Sequence, residues 1–150
     1  MEEATRATVL AVDDEPSNVN VIAGYLKSLD IRLLVASTGE KALQIAAKET
    51  IDVILMDIRM PGMDGLEACR TLKSSPRTAK IPVIFLTASE TDVSAGFAAG
   101  GADYILKPVR AEELLARVGT QLKVSRLIHS LSEANALLEG VNETLEDKVQ

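Results

Sequence analysis

The feature that most constrains the fold is a regular alternation of short apolar runs with helical patterns. Each run is too short and too rich in β-branched residues to favour a helix, and runs that are apolar on both faces are typical of parallel strands covered by helices. The five runs lie at residues 8–12, 32–36, 53–56, 81–86 and 103–106. The segments between them carry hydrophobic residues at helical spacing. We therefore expect an α/β fold of five strand and helix repeats.

Right-handed crossovers place such repeats in a doubly wound parallel sheet, and the commonest five-stranded version has the strand order 2-1-3-4-5. The helix after the third run has a clear start, because Asp64 and Glu67 form a capping-box pattern. Ligands of such sheets bind beyond the carboxyl ends of the strands. Any functional site is therefore expected at that edge.

Polar residues follow four of the predicted strands at this edge. They are Asp13 and Asp14 after the first, Asp57 after the third, Thr87 after the fourth and Lys107 after the fifth. Adjacent carboxylates at the end of a buried strand repel one another and lose hydration, both of which cost free energy. The sequence therefore predicts that a cation lies among them.

Composition narrows the class of protein further. The formal net charge of -6 argues against a surface that binds nucleic acid, which needs clustered Lys and Arg. Cys69 is the only cysteine, which suits a reducing cytosol. The opening "MEEATR" lacks the basic start and apolar segment of a secretory signal, and no run reaches the ~20 apolar residues of a membrane span. We expect a cytoplasmic protein without membrane contact.

Four motifs together resemble the receiver domain of two-component response regulators. They are "DD" after the first strand, "MDIRMPGMDG" around Asp57, "LTA" at the end of the fourth strand and "GADYILKP" before the fifth helix. The resemblance covers residues 7–123. It implies a flavodoxin-like (βα)5 fold and a phosphoryl group accepted by Asp57 from a histidine kinase or phosphotransfer protein.

The acidic residues take distinct roles under this resemblance. Asp57 is the expected nucleophile, because a carboxylate forms an acyl phosphate and so divides one difficult transfer into two easier ones. Mg2+ (or Mn2+) is expected on Asp14, Asp57 and the backbone carbonyl of Arg59. Asp13 is expected in the outer shell, where it orients a metal-bound water.

The remaining site residues belong to the phosphoryl group and the switch. Lys107 supplies a charge to the phosphoryl oxygens and Thr87 donates a hydroxyl hydrogen bond. Tyr104 is either a half-buried strand aromatic or, as the resemblance favours, the switch aromatic. The resemblance also suggests a cis bond before Pro108. Arg59 is expected to point to solvent and to tune the lifetime of the phosphoryl group.

The alternation of strands and helices stops after residue 123. Apolar residues then follow at spacings of three and four: Val124, Leu127, Leu131, Ala134, Leu138, Val141 and Leu145. We expect residues 124–150 to extend the last helix as a coiled-coil linker that pairs in parallel with a second copy. The alternative is an amphipathic helix folded back on the domain. The ending "NETLEDKVQ" resembles linkers that precede a cyclic-di-GMP phosphodiesterase or a similar output module, so we expect the chain to be a fragment.

The predicted function is a phosphorylation-controlled signalling switch that relays its state through the fifth helix and the coil to an output domain. We expect no enzymatic activity beyond self-phosphorylation and self-dephosphorylation. A degenerate receiver that serves only for dimerisation or docking is the alternative, but the acceptor, the acid pair and the lysine are all present. A metal-dependent phosphohydrolase is disfavoured, because those enzymes carry a D-x-D motif after the first strand, where this chain has "DDE".

Overall fold

The computed structural model describes the backbone of residues 6–149 and the side chains of residues 6–138. Within that range, strands and helices alternate along the chain. The strands are β1 (Ala7–Val12), β2 (Ile31–Ala36), β3 (Val53–Asp57), β4 (Val83–Thr87) and β5 (Asp103–Leu106). The helices are α1 (Pro16–Leu26), α2 (Gly39–Lys48), α3 (Gly65–Lys73), α4 (Thr91–Ala98) and α5 (Ala111–Val149).

The five strands form one parallel sheet in the order β2-β1-β3-β4-β5, which confirms the predicted topology. Alternate residues of a strand face opposite sides of a sheet. Leu10 and Val12 accordingly pack in a core with α2 and α3, while Val9 and Ala11 pack in a second core with α1 and α5. Both faces of the sheet are covered, which explains why the central strands are apolar throughout.

Two helix starts follow from side-chain caps. The Asp64 carboxylate accepts a hydrogen bond of 2.8 Å from the Glu67 backbone N–H, as the capping-box pattern predicts. The Thr38 hydroxyl accepts one of 3.0 Å from the Lys41 N–H at the start of α2. Caps of this kind satisfy backbone donors that have no partner inside the helix.

The fourth strand begins two residues later than the sequence suggested. The apolar run starts at Ile81, but β4 spans Val83–Thr87. Pro82 has no N–H to donate to a neighbouring strand, although its carbonyl accepts a hydrogen bond of 3.0 Å from Ile54 N. The strand ends at Thr87.

The long C-terminal helix is confirmed as a single element, Ala111–Val149. Its first turns are anchored by the buried Leu114 and Val118, whereas Leu131 and Leu138 are 62% and 61% exposed. The seam residues Val141 and Leu145 lie outside the described side chains, and residue 150 lies outside the described backbone. Among the described residues, no helix has the length and apolar character needed to cross a membrane.

Candidate functional site

The sheet brings three carboxylates together at its carboxyl edge. β1 and β3 are neighbours, with Val12 opposite Met56, so the residues that follow them meet. Each of Asp13, Asp14 and Asp57 offers a carboxylate oxygen, and these oxygens lie within 4.8 Å of one another. Asp13 and Asp57 are only 2% and 4% exposed, and Asp14 is more open to solvent. This is a concentration of buried negative charge.

Asp13 is held by one oxygen and leaves the other without a donor. Its Oδ1 accepts hydrogen bonds from the Glu15 backbone N–H at 3.0 Å and from Asn18 Nδ2 at 3.5 Å. Its Oδ2 is buried and has no hydrogen-bond partner. An unsatisfied buried charged oxygen costs free energy, so the site as folded requires a further positive or hydrogen-bonding group.

Lys107 places a positive charge beside the carboxylates of Asp57 and Asp13. Its ammonium donates a hydrogen bond of 3.2 Å to Asp57 Oδ1 and lies 3.8 Å from Asp13 Oδ2. The Lys107 backbone N–H donates to the Thr87 carbonyl at 2.8 Å, which fixes the end of β5 against β4. The bond from Lys107 to Pro108 is cis. The Lys107 ammonium thus lies beside two of the three clustered carboxylates, and one positive charge does not balance three negative ones.

The pKa of Asp57 is raised from its ordinary value of 3.8 to about 6, mainly by burial and next by the Asp13 charge. The Lys107 charge and hydrogen bonds from Lys107 and the Arg59 backbone act in the opposite direction. At neutral pH the carboxyl is therefore mostly ionised. An ionised carboxylate that is poorly solvated is well suited to act as a nucleophile.

The donor set fits a small divalent cation. Mg2+ prefers oxygen ligands and is commonly bound by one or two carboxylates. The clustered oxygens of Asp14 and Asp57 match that preference. The unpartnered Oδ2 of Asp13 adjoins the same cluster and suits a hydrogen bond from a metal-bound water.

Thr87 does not extend its hydroxyl into open space. Its Oγ1 lies 3.2 Å from Asp92 Oδ2 and 3.2 Å from the Ser89 carbonyl, and it accepts a hydrogen bond of 3.1 Å from the Ser89 N–H. The residue is 1% exposed. The structure thus places Thr87 at the expected edge, with its hydroxyl engaged by neighbours on its C-terminal side.

Tyr104 is half-buried and held by its neighbours. Its ring meets Phe97 edge to face, with centroids 6.0 Å apart, and the Arg117 guanidinium lies 6.0 Å from its centroid. Arg117 is itself paired with Asp103 at 2.9 Å. Such packing is compatible with both roles considered for Tyr104.

Two residues of the site escaped the sequence analysis. Asn18 contacts Asp13, and Asp92 pairs with the guanidinium of Arg59 through hydrogen bonds of 2.9 Å and 3.1 Å. Arg59, expected to point to solvent, is 75% exposed at its side chain but is anchored at its tip. An acid in the first turn of a helix is ordinary in a sequence, so Asp92 gave no signal.

Comparison with known proteins identifies the class. Residues 9–119 match the model of the response regulator receiver domain, and the chain belongs to that family. The chain is 40% identical over 141 residues to a probable cyclic di-GMP phosphodiesterase of Vibrio cholerae, covering 93% of this chain and 32% of that protein. It is 36% identical over 132 residues to the response regulator PleD of Caulobacter vibrioides, covering 87% and 29% respectively.

A solved receiver structure with the same fold holds a metal ion in its active-site cleft. The receiver domain of sensor histidine kinase PA1611 from Pseudomonas aeruginosa PAO1 superimposes with a TM-score of 0.74 at 32% identity, covering 79% of this chain and 99% of that one. Its active-site cleft coordinates a magnesium ion. The acidic pocket of Asp13, Asp14 and Asp57 is the corresponding feature of this family member.

The expectation that the protein is not an enzyme is contradicted by these comparisons. A relative that matches most of this chain is a probable cyclic di-GMP phosphodiesterase, and the chain spans about a third of the length of that protein and of PleD. The expectation rested on the chemistry of the receiver site alone. That chemistry carries no information about a catalytic site elsewhere in a longer polypeptide.

Proposed function

We propose that the chain is a phosphorylation-controlled signalling switch in which Asp57 accepts a phosphoryl group from a histidine kinase or phosphotransfer protein. The observation that carries the proposal is the position of the Asp57 carboxylate. It shares its pocket with two further carboxylates and lies 3.2 Å from the Lys107 ammonium. Nucleophile, cation ligands and a charge for the phosphoryl oxygens thus occupy one edge of the sheet.

The transfer itself needs one nucleophilic step. A carboxylate oxygen of Asp57 attacks the phosphorus of a phosphohistidine, the P–N bond breaks, and the histidine leaves with the electron pair. Asp14, Asp57 and the Arg59 backbone carbonyl would hold Mg2+ or Mn2+, and Asp13 would act through a water. When bound, the cation supplies charge stabilisation for the phosphoryl oxygens.

Two side chains of the protein then bind the new phosphoryl group. The Lys107 ammonium, already beside Asp57, pairs with a phosphoryl oxygen, and the Thr87 hydroxyl donates a hydrogen bond to another. Because Thr87 and Tyr104 lie on neighbouring strands β4 and β5, a shift of Thr87 alters the packing beside the Tyr104 ring. The surface formed by α4, β5 and α5 is the proposed relay.

We further propose that residues 7–123 form the receiver and residues 124–150 a helical linker to an output module, with a second copy paired along the linker. The match to the Vibrio cholerae phosphodiesterase supports this, because it covers 93% of the chain and so extends into α5 well beyond residue 119. The output proposed for the full protein is cyclic di-GMP hydrolysis. The proposed compartment is the cytoplasm, with neither a nucleic acid nor a membrane as a direct partner.

The test is phosphorylation by acetyl phosphate with Mg2+, followed by intact-mass analysis. The protein should gain one phosphoryl group, Asp57→Asn should gain none, and omission of Mg2+ should prevent labelling. Asp30→Asn is the matched control, because the Asp30 side chain is 89% exposed and the residue directly precedes β2, at the edge of the parallel sheet opposite the pocket. Full labelling of Asp57→Asn at another residue would overturn the assignment.

A further inference from the structure

Asp92, in the first turn of α4, is a carboxylate that the proposed phosphoryl chemistry does not use. Its residue is 9% exposed, and its carboxylate contacts two side chains, those of Arg59 and Thr87. Its Oδ1 and Oδ2 accept hydrogen bonds from Arg59 Nη2 at 2.9 Å and Arg59 Nε at 3.1 Å, and Oδ2 also lies 3.2 Å from Thr87 Oγ1. Asp92 therefore connects Arg59, which lies two residues after Asp57, to Thr87.

The hydroxyl of Thr87 carries a single proton, and this fixes what it can do. A hydroxyl donates one hydrogen bond and accepts up to two. Its oxygen already accepts from the Ser89 N–H, and its proton has two candidate acceptors, the Ser89 carbonyl and the Asp92 carboxylate. A charged acceptor forms the stronger hydrogen bond, so the proton goes to Asp92. While it does, no proton remains for a phosphoryl oxygen on Asp57.

The surroundings make this competition direct. Thr87 and Asp92 line a narrow crevice, shared with Ile58, Val93 and Gly96, that has no room for a water molecule. A water therefore cannot replace Thr87 as the donor to Asp92 inside it. The bidentate pair with Arg59 persists if Thr87 turns away, so Asp92 is not left as an unpaired buried charge.

We propose that Asp92 is a positioning residue of the switch: it competes with the phosphoryl group for the Thr87 proton and so sets how strongly phosphorylation favours the active arrangement. This inference rests on the proposed function. The energy that phosphorylation contributes to the switch is reduced by the hydrogen bond that Thr87 gives up. Removal of Asp92 should therefore strengthen binding of a phosphoryl group or its analogue.

The experiment is a double-mutant cycle with the phosphoryl analogue beryllium trifluoride, titrated in the presence of Mg2+ and followed by 15N NMR. Asp92→Ala should lower the dissociation constant by about 3- to 10-fold, the range that one hydrogen bond of ~1 kcal/mol supplies. In a Thr87→Ala background the same change should have little effect, because no proton is contested. In a Thr87→Ser background the effect should return with the hydroxyl.

Glu90→Ala is the matched control, because Glu90 directly precedes α4, two residues before Asp92, and its side chain forms no capping hydrogen bond. It removes one negative charge from the same turn and should leave the dissociation constant unchanged. An equal effect of Asp92→Ala with and without the Thr87 hydroxyl would overturn the inference, since the change would then act through charge or folding. A parent protein that neither binds the analogue nor is labelled at Asp57 would instead overturn the proposed function.

A measurement on the unmutated protein tests the same point without any variant. When the analogue binds, the Ser89 amide signal should shift, because its acceptor Thr87 Oγ1 moves away. The Arg59 Nε–H signal should stay protected from exchange, before and after binding and also without metal, because its partner Asp92 stays in place. An unchanged Ser89 amide, or an Arg59 Nε–H that exchanges freely in either state, would overturn the inference.

Discussion

Individual residues at the carboxyl edge of the sheet are arranged for chemistry at the expense of stability. Asp57 is buried beside Asp13, and Lys107 offsets only part of the resulting cost. The raised pKa of about 6 is a direct expression of that cost, because it shows that the folded protein disfavours the ionised form. A cation bound among the carboxylates would offset this cost, because it would place positive charge beside them.

This cost predicts a pH-dependent stability of the metal-free protein. The pKa of Asp57 is higher in the folded state, about 6, than its ordinary 3.8, so the folded state binds more protons between these values. Its stabilising contribution is present at low pH and is lost as pH rises through 6, by ~3 kcal/mol in total. Asp57→Asn lacks this loss, so in EDTA it should be more stable than the parent at pH 7.5 and closer to it at pH 4.5.

Urea unfolding at the two pH values measures the effect, with Asp30→Asn as the control for loss of an exposed carboxylate. Asp30→Asn should follow the parent at both values, apart from the exposed pair with Arg6, which contributes little. If the free energies of unfolding of the parent and of Asp57→Asn changed in parallel with pH, a raised pKa of Asp57 would not be the source of the pH dependence.

The strands and helices were easier to predict from the sequence than the side-chain contacts between them. The alternation of short apolar runs with intervening segments predicted all five strands and the helices between them, because strands covered on both faces leave a clear pattern. Strand order followed from crossover rules, and the edge that gathers Asp13, Asp57 and Lys107 followed from strand order. What the sequence did not reveal is how side chains pair across elements. The bond between Thr87 and Asp92 depends on how α4 packs against β4, which no local pattern encodes.

The close approach of α3 to Asp57 provides a test at this scale. Gly65 donates a hydrogen bond of 2.9 Å to the Ile58 carbonyl, and a Cβ at Gly65 would overlap the Asp57 carbonyl oxygen and lie 2.9 Å from Ile58 Cα. Gly65→Ala must therefore displace the start of α3 from the site. We expect a loss of ~1 to 3 kcal/mol in stability and slower labelling of Asp57.

Gly24→Ala is the matched control, because Gly24 also lies in a helix but has nothing within 4 Å of a Cβ position. It should raise the free energy of unfolding by up to ~1 kcal/mol and leave labelling unchanged. Urea unfolding and the time course of acetyl phosphate labelling measure both effects. A Gly65→Ala protein as stable and as readily labelled as Gly24→Ala would refute the close approach.

At the scale of the whole molecule, α5 is the element proposed to connect the site to an output module. It has 39 residues, so it is about 58 Å long at 1.5 Å per residue. Among its described side chains, Leu114 and Val118 in its first part are buried in the core, and Leu115 and Leu122 pack against them. Further along, Leu127, Leu131 and Leu138 are each more than 60% exposed. In the described part of the chain the apolar seam is therefore exposed, and a partner that covered it would remove apolar surface from water.

The last prediction is that this partner is a second copy of the chain. A lone helix with an exposed seam leaves apolar surface in water, and pairing in a coiled coil buries it. Leu131→Asp combined with Leu138→Asp places charge in the seam, so it should abolish self-association while Asp57 is labelled as before. Ser132→Asp combined with Ala136→Asp adds the same charge on the outer face and should still pair. Sedimentation at tens of micromolar, where a stable coil of this length should be dimeric, distinguishes the two. A parent protein that sediments as a monomer with and without the phosphoryl group would refute pairing and return the seam to the folded-back alternative.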